Sequence, residues 1–248
     1  MNSEDGYDTI YDMENLRTYR ILAYLKAKKS CSLKDLMKKF HVSSATIHRD
    51  VEALARRDAV ERVRGGIVFN ESADTGTDLS NFRERVVSNR AEKIAAARMA
   101  VPLVQDGDII FLDSSTTTFE LALLLMREPI DRLTIITNSV AIMGLFRKMP
   151  ATWVKIALGG SYDAQLNSIL GAAALSQLAG FNITKAFVSA FGVDAKNVTT
   201  NHEHQAELLR VVLDSADKRY LVVGHSKLGR TGLYRLSARG GFDAILTN

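Results

Sequence analysis

A hydroxyl-rich segment, Asp113-Ser114-Ser115-Thr116-Thr117-Thr118, lies between the apolar run DIIFL and a leucine-rich segment. This order predicts a turn that leaves a β-strand and enters an α-helix. Free backbone N–H groups, hydroxyl donors and the positive end of the helix dipole would then suit an anion, in particular a phosphate. Ordinary helix capping by Ser and Thr is the alternative interpretation. The Gly-Lys signature of a P-loop is missing, so the segment does not predict a Walker-type nucleotide site.

Polar residues also follow several other apolar runs of the C-terminal half. In open parallel sheets, ligands bind beyond the carboxyl ends of the strands, so these positions are candidates for the same site. Lys227 is suited to neutralise a phosphate, and an ordinary solvated lysine is the alternative interpretation. Asp113 is suited to bind sugar hydroxyls or to cap a helix, and the same two roles are open to Asn138. The segments are Thr137-Asn138-Ser139, Leu158-Gly159-Gly160, Gly192-Val193-Asp194 and Gly224-His225-Ser226-Lys227.

A second set of residues, between positions 43 and 64, is suited to reading DNA. Hydrogen-bonding and cationic side chains at the N-terminal end of a helix are what a recognition helix presents to base edges. Basic residues on a following hairpin would form a wing. The candidate DNA-binding residues are Ser43, Ser44, Thr46, His48, Arg49, Arg62 and Arg64.

The elements that must position these residues form a winged helix-turn-helix pattern. Apolar residues at three- and four-residue steps after Ser32 predict a helix that ends near Phe40. Ser43 is a suitable N-cap for the next helix. An upstream helix over residues 15–29 would complete the three-helix core. Alternating residues around Gly65-Gly66, in the range 60–70, predict the hairpin.

Charge is distributed unevenly along the chain. Residues 1–14 hold five acidic residues and no Lys or Arg, residues 15–70 hold thirteen Lys and Arg against five acids, and residues 71–248 hold nineteen against eighteen. The net charges are therefore −5, +8 and +1. A basic excess confined to the predicted helix-turn-helix is the electrostatic footprint of a DNA-binding module. The acidic arm predicts a disordered tail or an internal shield that competes with DNA.

Length and composition set the class of protein. A chain of 248 residues predicts two domains. Cys31 is the single cysteine, which excludes a disulfide framework and zinc-finger spacings. The acidic start does not fit a signal peptide, and no run of about 18 apolar residues occurs. We expect a cytoplasmic protein without a cofactor or a bound metal. The predicted segments are an acidic arm (1–14), a winged helix-turn-helix (15–70), a polar linker (71–81) and an effector and oligomerisation domain (82–248).

From residue 82 onward, predicted helices and strands alternate. Short β-rich runs between helices predict an α/β domain with a mostly parallel sheet that is covered on both faces. The predicted helices are 83–104, 117–127, 139–148, 168–179 and 202–217. The predicted strands are 108–113, 133–137, 153–160, 185–192 and 219–224.

The chain resembles the DeoR family of transcriptional regulators over almost all of residues 16–247. The family's C-terminal pattern is matched, in order, by QDGDIIFLDSSTT, LTIITNS, LGG, FGVD and HSK. Its N-terminal pattern, V-S-x-x-T-I-R-R-D-L followed by a hairpin ending R-x-x-G-G, is matched by Val42, Ser43, Thr46, Ile47, Arg49, Asp50, Arg62, Gly65 and Gly66.

This resemblance implies a repressor of a carbohydrate operon that acts as a dimer or tetramer, binds operator DNA and is not an enzyme. It also implies a sensor domain similar to ribose-phosphate isomerases and CoA transferases, which binds a sugar phosphate. By the resemblance, the phosphate is held by Ser114, Ser115, Thr116, Thr117 and Lys227. Asp113, Asn138, Gly160 and Asp194 then surround the sugar.

Two positions depart from the family pattern. His48 stands where the family usually has the first Arg of its Arg-Arg-Asp run, which removes a permanent charge and a bidentate contact to guanine or phosphate. We expect DNA binding to persist with weaker affinity or a shifted sequence preference. Gly224 replaces an Asp that is common before the Ser-Lys pair.

Two rival functions are compatible with some residues. A sugar-phosphate isomerase or transferase with an accessory DNA module could use Asp113, Glu203, His225 and Lys227 in acid–base chemistry. A metal sensor could use the His-x-His spacing of His202 and His204. Two histidines without a cysteine partner make a weak zinc site, and exposed polar residues at a helix start are the favoured interpretation.

Overall fold

The structure, a computed structural model, describes residues 13–56, 59–70 and 82–248. Packing divides the chain into one unit that ends at Ser88 and another that begins at Asn89. The predicted second domain begins at residue 82, whereas residues 82–87 group with the N-terminal unit. The predicted linker (71–81) and the first twelve residues of the predicted acidic arm lie outside the described residues.

The N-terminal unit is a winged helix-turn-helix, as the sequence predicts. Within its described residues, three strands form an antiparallel sheet in the order β1-β3-β2. Strand β1 was not predicted, because three residues give almost no local signal. The elements are α1 (Met13–Lys28), β1 (Ser30–Ser32), α2 (Leu33–Phe40), α3 (Ser44–Ala55), β2 (Val60–Val63), β3 (Gly66–Phe69) and α4 (Phe82–Val87).

Local caps fix the turn between α2 and α3. The Ser32 side chain accepts a hydrogen bond from the Asp35 N–H at 3.1 Å, and α2 ends at His41 in the left-handed conformation (φ 52°). The Ser43 hydroxyl accepts from the Thr46 N–H at 3.3 Å and starts α3. Each cap satisfies a backbone donor that a helix leaves without an intrahelical partner.

An ion pair holds the recognition helix α3 to helix α1 inside this unit. Asp50 is 0 % exposed, and both of its carboxylate oxygens accept hydrogen bonds from the Arg17 guanidinium. The Nη2–Oδ1 distance is 2.9 Å. Ile21 of α1, Leu36 of α2 and Val51 of α3 are buried in one hydrophobic cluster of the same unit. The bidentate geometry therefore fixes the rotation of α3 as well as its distance from α1.

The C-terminal unit is an α/β domain. Its helices are α5 (Arg90–Ala100), α6 (Thr116–Leu125), α7 (Val140–Met143), α8 (Ala172–Leu178) and α9 (Glu203–Ser215). Its strands are β4 (Ile109–Leu112), β5 (Thr134–Thr137), β6 (Val154–Ala157), β7 (Ser161–Asp163), β8 (Ser168–Leu170), β9 (Ile183–Val188), β10 (Gly192–Val193), β11 (Asn197–Thr200), β12 (Ala216–Val222), β13 (Tyr234–Ala238) and β14 (Ala244–Leu246).

Six strands form a parallel sheet in the order β14-β12-β9-β4-β5-β6. Consecutive residues of its central strands, such as Ile110 and Phe111, are both 0 % exposed, so both faces of the sheet are covered. Helices α5 and α6 pack on each other, and α8 packs on α9. The predicted mostly parallel sheet is confirmed. A small antiparallel sheet, β10-β11-β13, and the hairpin β7-β8 were not predicted.

Three predicted helices are wrong in their bounds. The predicted helix 139–148 is the four-residue α7 (Val140–Met143), and residues 144–148 form turns. The single helix 83–104 is in fact α4 and α5, separated at Asn89, whose φ of 48° lies in the left-handed region that an α-helix cannot pass through. Asn tolerates this region better than most residues. The predicted helix 168–179 begins too early, because Ser168–Leu170 pair with β7 as a strand and Gly171, at φ 91°, precedes α8.

The Asp50→Asn substitution tests the buried ion pair. It leaves the Arg17 charge opposite a neutral amide, and we expect the free energy of unfolding of the N-terminal unit to fall by about 3 kcal/mol. Amide hydrogen exchange of α3 measures this loss. Glu52→Gln is the matched control on the same helix, because its pair with Arg56 is exposed and is worth below about 1 kcal/mol. Equal losses in both variants would contradict the assigned role.

Candidate functional site

The strand order places a topological switch between β4 and β9. From β4 the chain continues through β5 to β6 on one side, and from β9 it continues through β12 to β14 on the other. Open parallel sheets bind ligands beyond the carboxyl ends of the strands at such a switch. The loops that follow β4 and β9, residues 113–115 and 189–191, therefore border the candidate effector site.

The Asp113 carboxylate joins these two loops. Its Oδ1 accepts hydrogen bonds from the Ser115 N–H at 3.0 Å and the Thr118 hydroxyl at 2.7 Å. Its Oδ2 accepts from the Ser189 N–H at 2.9 Å, across the switch. The side chain is 1 % exposed. All three donors belong to the protein, so Asp113 holds together the two loops that border the candidate effector site. The space between these loops, 113–115 and 189–191, is called the crevice below.

Helix α6 begins at this crevice. Ser115 is its N-cap, and the Ser115 hydroxyl accepts from the Thr118 N–H at 3.1 Å. Thr116 and Thr117 form the first turn and are 5 % and 4 % exposed. Amides of a first helical turn have no intrahelical partner, so they and the helix dipole favour an anion here.

Two buried side-chain oxygens at neighbouring strand ends have no hydrogen-bond partner among the described residues. They are Ser114 Oγ, after β4, and Asn138 Oδ1, after β5. The Asn138 amide nitrogen is fixed by donation to Ser168 Oγ at 2.8 Å, which orients the amide. Buried polar atoms are normally hydrogen-bonded, and exceptions occur at sites that bind other groups. An amide oxygen can only accept, whereas a hydroxyl can also donate.

Lys227 lies in a short 3₁₀ turn, His225–Lys227, that follows β12. Its Nζ lies 5.5 Å from the centroid of the Phe191 ring, and the Arg230 Cζ lies 4.3 Å from the same centroid. Both distances are within the range of cation–π attraction. Because Phe191 belongs to the loop after β9, two cationic side chains lie beside the switch.

The fold alone accounts for the residue types at Asp194 and Gly160, without a bound ligand. The Asp194 carboxylate accepts from the N–H groups of Lys196 and Asn197, both at 2.7 Å, and these bonds lower its pKa. Gly160 has φ 151°, and a Cβ there would lie 2.5 Å from the Leu170 carbonyl oxygen. Within the described part of the chain, neither residue is brought into hydrogen bonding with the 113–118 segment.

Several residues of this region were not predicted from the sequence. Phe191 directly precedes the Gly192-Val193-Asp194 segment, so its place at a strand end was an available signal. Ser189 contributes to this region by donating its backbone N–H to Asp113, and any residue other than proline supplies such a donor. Glu92, whose Oε2 accepts from the Ser226 N–H at 3.0 Å, lies far away in sequence and gives no local signal.

The candidate DNA interface combines the start of α3 with the wing. Thr46 is half-buried, while Ser43, Ser44, His48, Arg49, Arg62 and Arg64 are exposed. Ile47 and Asp50 face the core. The structure brings His48 and Arg62 together, with 3.4 Å between His48 Nδ1 and Arg62 Nη2. The two elements therefore form one polar and cationic surface.

The His-x-His spacing does not build a metal site in this part of the chain. His204 is exposed, and its Nδ1 lies 3.7 Å from Glu207 Oε2. His202 is the N-cap of α9. The described residues contain no group of three or more His, Cys, Asp or Glu side chains arranged to hold a metal ion.

Comparison with known protein families matches both units. Residues 17–73 match the DeoR-like helix-turn-helix domain, and residues 88–248 match the DeoR C-terminal sensor domain. The chain belongs to the DeoR family.

Curated relatives of this DeoR-family chain are named as transcriptional regulators. The regulator IolR of Bacillus subtilis is 30% identical over 95% of the chain and 92% of the relative. The lactose phosphotransferase system repressor of Lactococcus lactis is 27% identical over 94% and 90%. The L-fucose operon activator of Haemophilus influenzae is 28% identical over 94% and 92%. These relatives thus include both a repressor and an activator.

Among solved structures, ribose 5-phosphate isomerase A of Methanocaldococcus jannaschii is similar to part of the DeoR-family chain. The TM-score is 0.41 at 22% identity, over 57% of the chain and 55% of the isomerase. Within the described residues, no helix combines the length and apolar character needed to cross a membrane.

Asp113→Asn tests the central carboxylate of the DeoR-family sensor domain. An amide nitrogen would face either the Ser189 N–H or the donors of Ser115 and Thr118, so at least one hydrogen bond becomes a contact between two donors. We expect the free energy of unfolding of the C-terminal unit to fall by about 2 kcal/mol. Urea unfolding followed by the fluorescence of Trp153, which is buried in this unit, measures the loss. The exposed Asp217→Asn is the control, and an equal effect there would refute the assignment.

Proposed function

We propose that this chain is a DNA-binding transcriptional regulator of carbohydrate metabolism, in its basal state a repressor, that is controlled by a phosphorylated sugar bound to its C-terminal unit. The observation that carries the effector half is the pair of buried, unpartnered oxygens of Ser114 and Asn138 beside the start of α6. Ser114 follows β4, where the sheet order reverses, and Asn138 follows the neighbouring strand β5. Ser114 directly precedes Ser115, the N-cap of a turn that favours an anion.

The proposed ligand contacts divide into two kinds. The first-turn amides and hydroxyls of Thr116 and Thr117, with Lys227, bind the phosphate. Ser114 and Asn138 supply hydrogen bonds to sugar hydroxyls, which can donate to Asn138 Oδ1 and either donate to or accept from the Ser114 hydroxyl. Asp113 and Ser115 hold the turn in place, since their polar atoms already bond to protein groups. Gly160 and Asp194 are proposed to border the site.

The proposed DNA contacts follow from exposure and charge. The N-terminal half of α3 enters the major groove, where Thr46, His48 and Arg49 reach base edges or phosphates. Ser43 and Ser44, at the start of α3, contact the backbone. Arg62 and Arg64 of the wing bind adjacent phosphates. The net charge of +8 on residues 15–70 supports a strong electrostatic contribution to binding.

Regulation requires that the ligand bind two arrangements of the protein with different affinity. We propose a homo-oligomer, a dimer or tetramer, in which sugar phosphate favours one arrangement of the C-terminal units. The spacing of two winged helices relative to their half-sites then changes, and operator affinity with it. Such a protein works in the cytoplasm, where operator DNA and phosphorylated sugars are both present.

Sensing rather than catalysis is the proposed role of the crevice. In the rival isomerase interpretation Asp113 would serve as a base, but its carboxylate already accepts three hydrogen bonds from protein groups. Purified protein should therefore show no turnover of the sugar phosphate that stabilises it.

Substitutions in the wing test the DNA interface. A 25-bp duplex of mixed sequence serves as the probe of electrostatic binding, and its affinity is measured by fluorescence anisotropy at 50–200 mM salt. Arg62→Gln and Arg64→Gln should each reduce the slope of log K against log salt by about 1, because each removes one phosphate contact. Arg147→Gln, an exposed site in the C-terminal unit, should leave the slope unchanged. A slope near zero for the parent would contradict DNA binding through phosphates.

A thermal-shift screen of hexose, pentose and triose phosphates tests the effector site, with the free sugars and inorganic phosphate as comparisons. A sugar phosphate at 100 times its dissociation constant should stabilise the protein by about 2.7 kcal/mol. Lys227→Met should raise that dissociation constant about tenfold or more, because a charge-assisted hydrogen bond is lost. Lys148→Met, at an exposed site, should have no effect. The absence of stabilisation by every phosphorylated sugar would refute the proposed effector.

A further inference from the structure

The turn that carries Lys227 is held by a side chain from another helix. Gly224 precedes the turn with φ −70° and ψ 152°, an extended conformation that any residue adopts, and Gly224 supplies no side-chain cap. Backbone conformation therefore does not require glycine at this position. The reason for glycine lies in what surrounds it.

Glu92, in the first turn of α5, fills the space that a side chain at position 224 would need. A Cβ on Gly224 would lie 2.9 Å from Glu92 Oε2 and 3.0 Å from Glu92 Cβ. The same Oε2 accepts a hydrogen bond from the Ser226 N–H at 3.0 Å. Two side-chain positions thus compete for one small volume.

They would also compete for one hydrogen-bond donor. An Asp at an extended position commonly accepts a hydrogen bond from the N–H two residues later, in an Asx-turn. For position 224 that donor is the Ser226 N–H, which Glu92 already uses. An Asp at position 224 and the Glu at position 92 would therefore be alternative ways to hold the same turn.

Neighbouring groups strengthen the contribution of α5. Asn89 Nδ2 donates to Ser226 Oγ at 3.1 Å, so Ser226 is bound through both its backbone and its side chain. The hydrogen bond from the Ser226 N–H lowers the pKa of the Glu92 carboxyl. Arg90 donates to Glu120 at 2.9 Å, and Glu120 is a buried residue of α6. The start of α5 is thereby bonded to the Lys227 turn and to helix α6, whose N-cap is Ser115.

We propose that Glu92 is the positioning residue that holds the His225–Lys227 turn and so places Lys227 for the phosphate, in the role that a carboxylate at position 224 would otherwise have. This inference rests on the proposed effector function. Glu92 acts through Ser226 and does not itself contact the ligand.

A reciprocal substitution tests the assignment. The ligand probe is the sugar phosphate that gives the largest thermal shift with the parent, and its affinity is measured by calorimetry. Glu92→Ala removes the acceptor, and Gly224→Asp adds a second carboxylate in an occupied space, so each should weaken binding about tenfold. In the double variant, the Asp gains the Ser226 N–H and the space of Glu92 Oε2. The Cβ at position 92, which alanine keeps, lies 3.0 Å from the new Cβ and must shift by a few tenths of an ångström. The affinity of the double variant should return to within about threefold of the parent.

Hydrogen exchange of the Ser226 amide provides a readout that does not depend on any ligand. Glu92→Ala should increase its exchange rate about tenfold, and the double variant should restore protection. Glu128→Ala, at an exposed site of the same unit, should change neither exchange nor affinity. Circular dichroism checks the fold of each variant, and the comparison of Glu92→Ala with the double variant suffices if Gly224→Asp alone does not fold.

The outcomes separate the two proposals. Unchanged Ser226 exchange in Glu92→Ala, or a double variant that is no better protected and binds no better than Glu92→Ala, would overturn the positioning role. Altered exchange with unaltered affinity would also overturn it, because Lys227 would then not depend on the turn. A parent protein that binds none of the sugar phosphates refutes the effector function, while the exchange measurements still decide whether Glu92 holds the turn.

Discussion

The C-terminal unit depends on one buried carboxylate at the reversal point of its sheet. Asp113 bonds to the loop of its own strand, to the first turn of α6 and to the loop after β9. A parallel sheet leaves a crevice at such a point because the connections on its two sides diverge. Asp113 connects the loops on the two sides of that crevice, so their separation depends on its hydrogen bonds. The proposed contacts of Ser114, Thr116 and Thr117 all take their positions from this arrangement.

The sequence predicted those features that depend on neighbouring residues. Ser43 caps its helix as expected, and the basic hairpin around Gly65-Gly66 forms. Ser115 caps α6, which is the alternative interpretation of the 113–118 segment. Each of these signals lies within a few residues of its effect. The alternation of apolar strands and helices predicted the parallel sheet for the same reason. The sequence predicted residues 113–118 as part of the candidate effector site. For the loop after β9, residues 189–191, it indicated only a nearby strand end, through the Gly192-Val193-Asp194 segment.

Features that depend on distant residues could not be predicted. Asn89 interrupts an otherwise continuous helical pattern, and nothing in that pattern indicates its left-handed conformation. The bond of Ser189 to Asp113 uses a backbone N–H, which carries no residue signature. In the sequence, Glu92 is indistinguishable from other polar residues of a helix. Only the fold shows that it lies against Gly224. Strands of two to four residues, such as β1 and β10, are stabilised by pairing across the chain rather than by local preference.

The contact between His48 and Arg62 has a consequence for how sequence preference can change. Because the recognition helix and the wing touch at 3.4 Å, a substitution in one alters the electrostatic surroundings of the other. Effects of mutations at residues in contact are generally not additive. Operator preference in this protein should therefore evolve through paired changes at the two positions, and the effect of either residue depends on the identity of its neighbour.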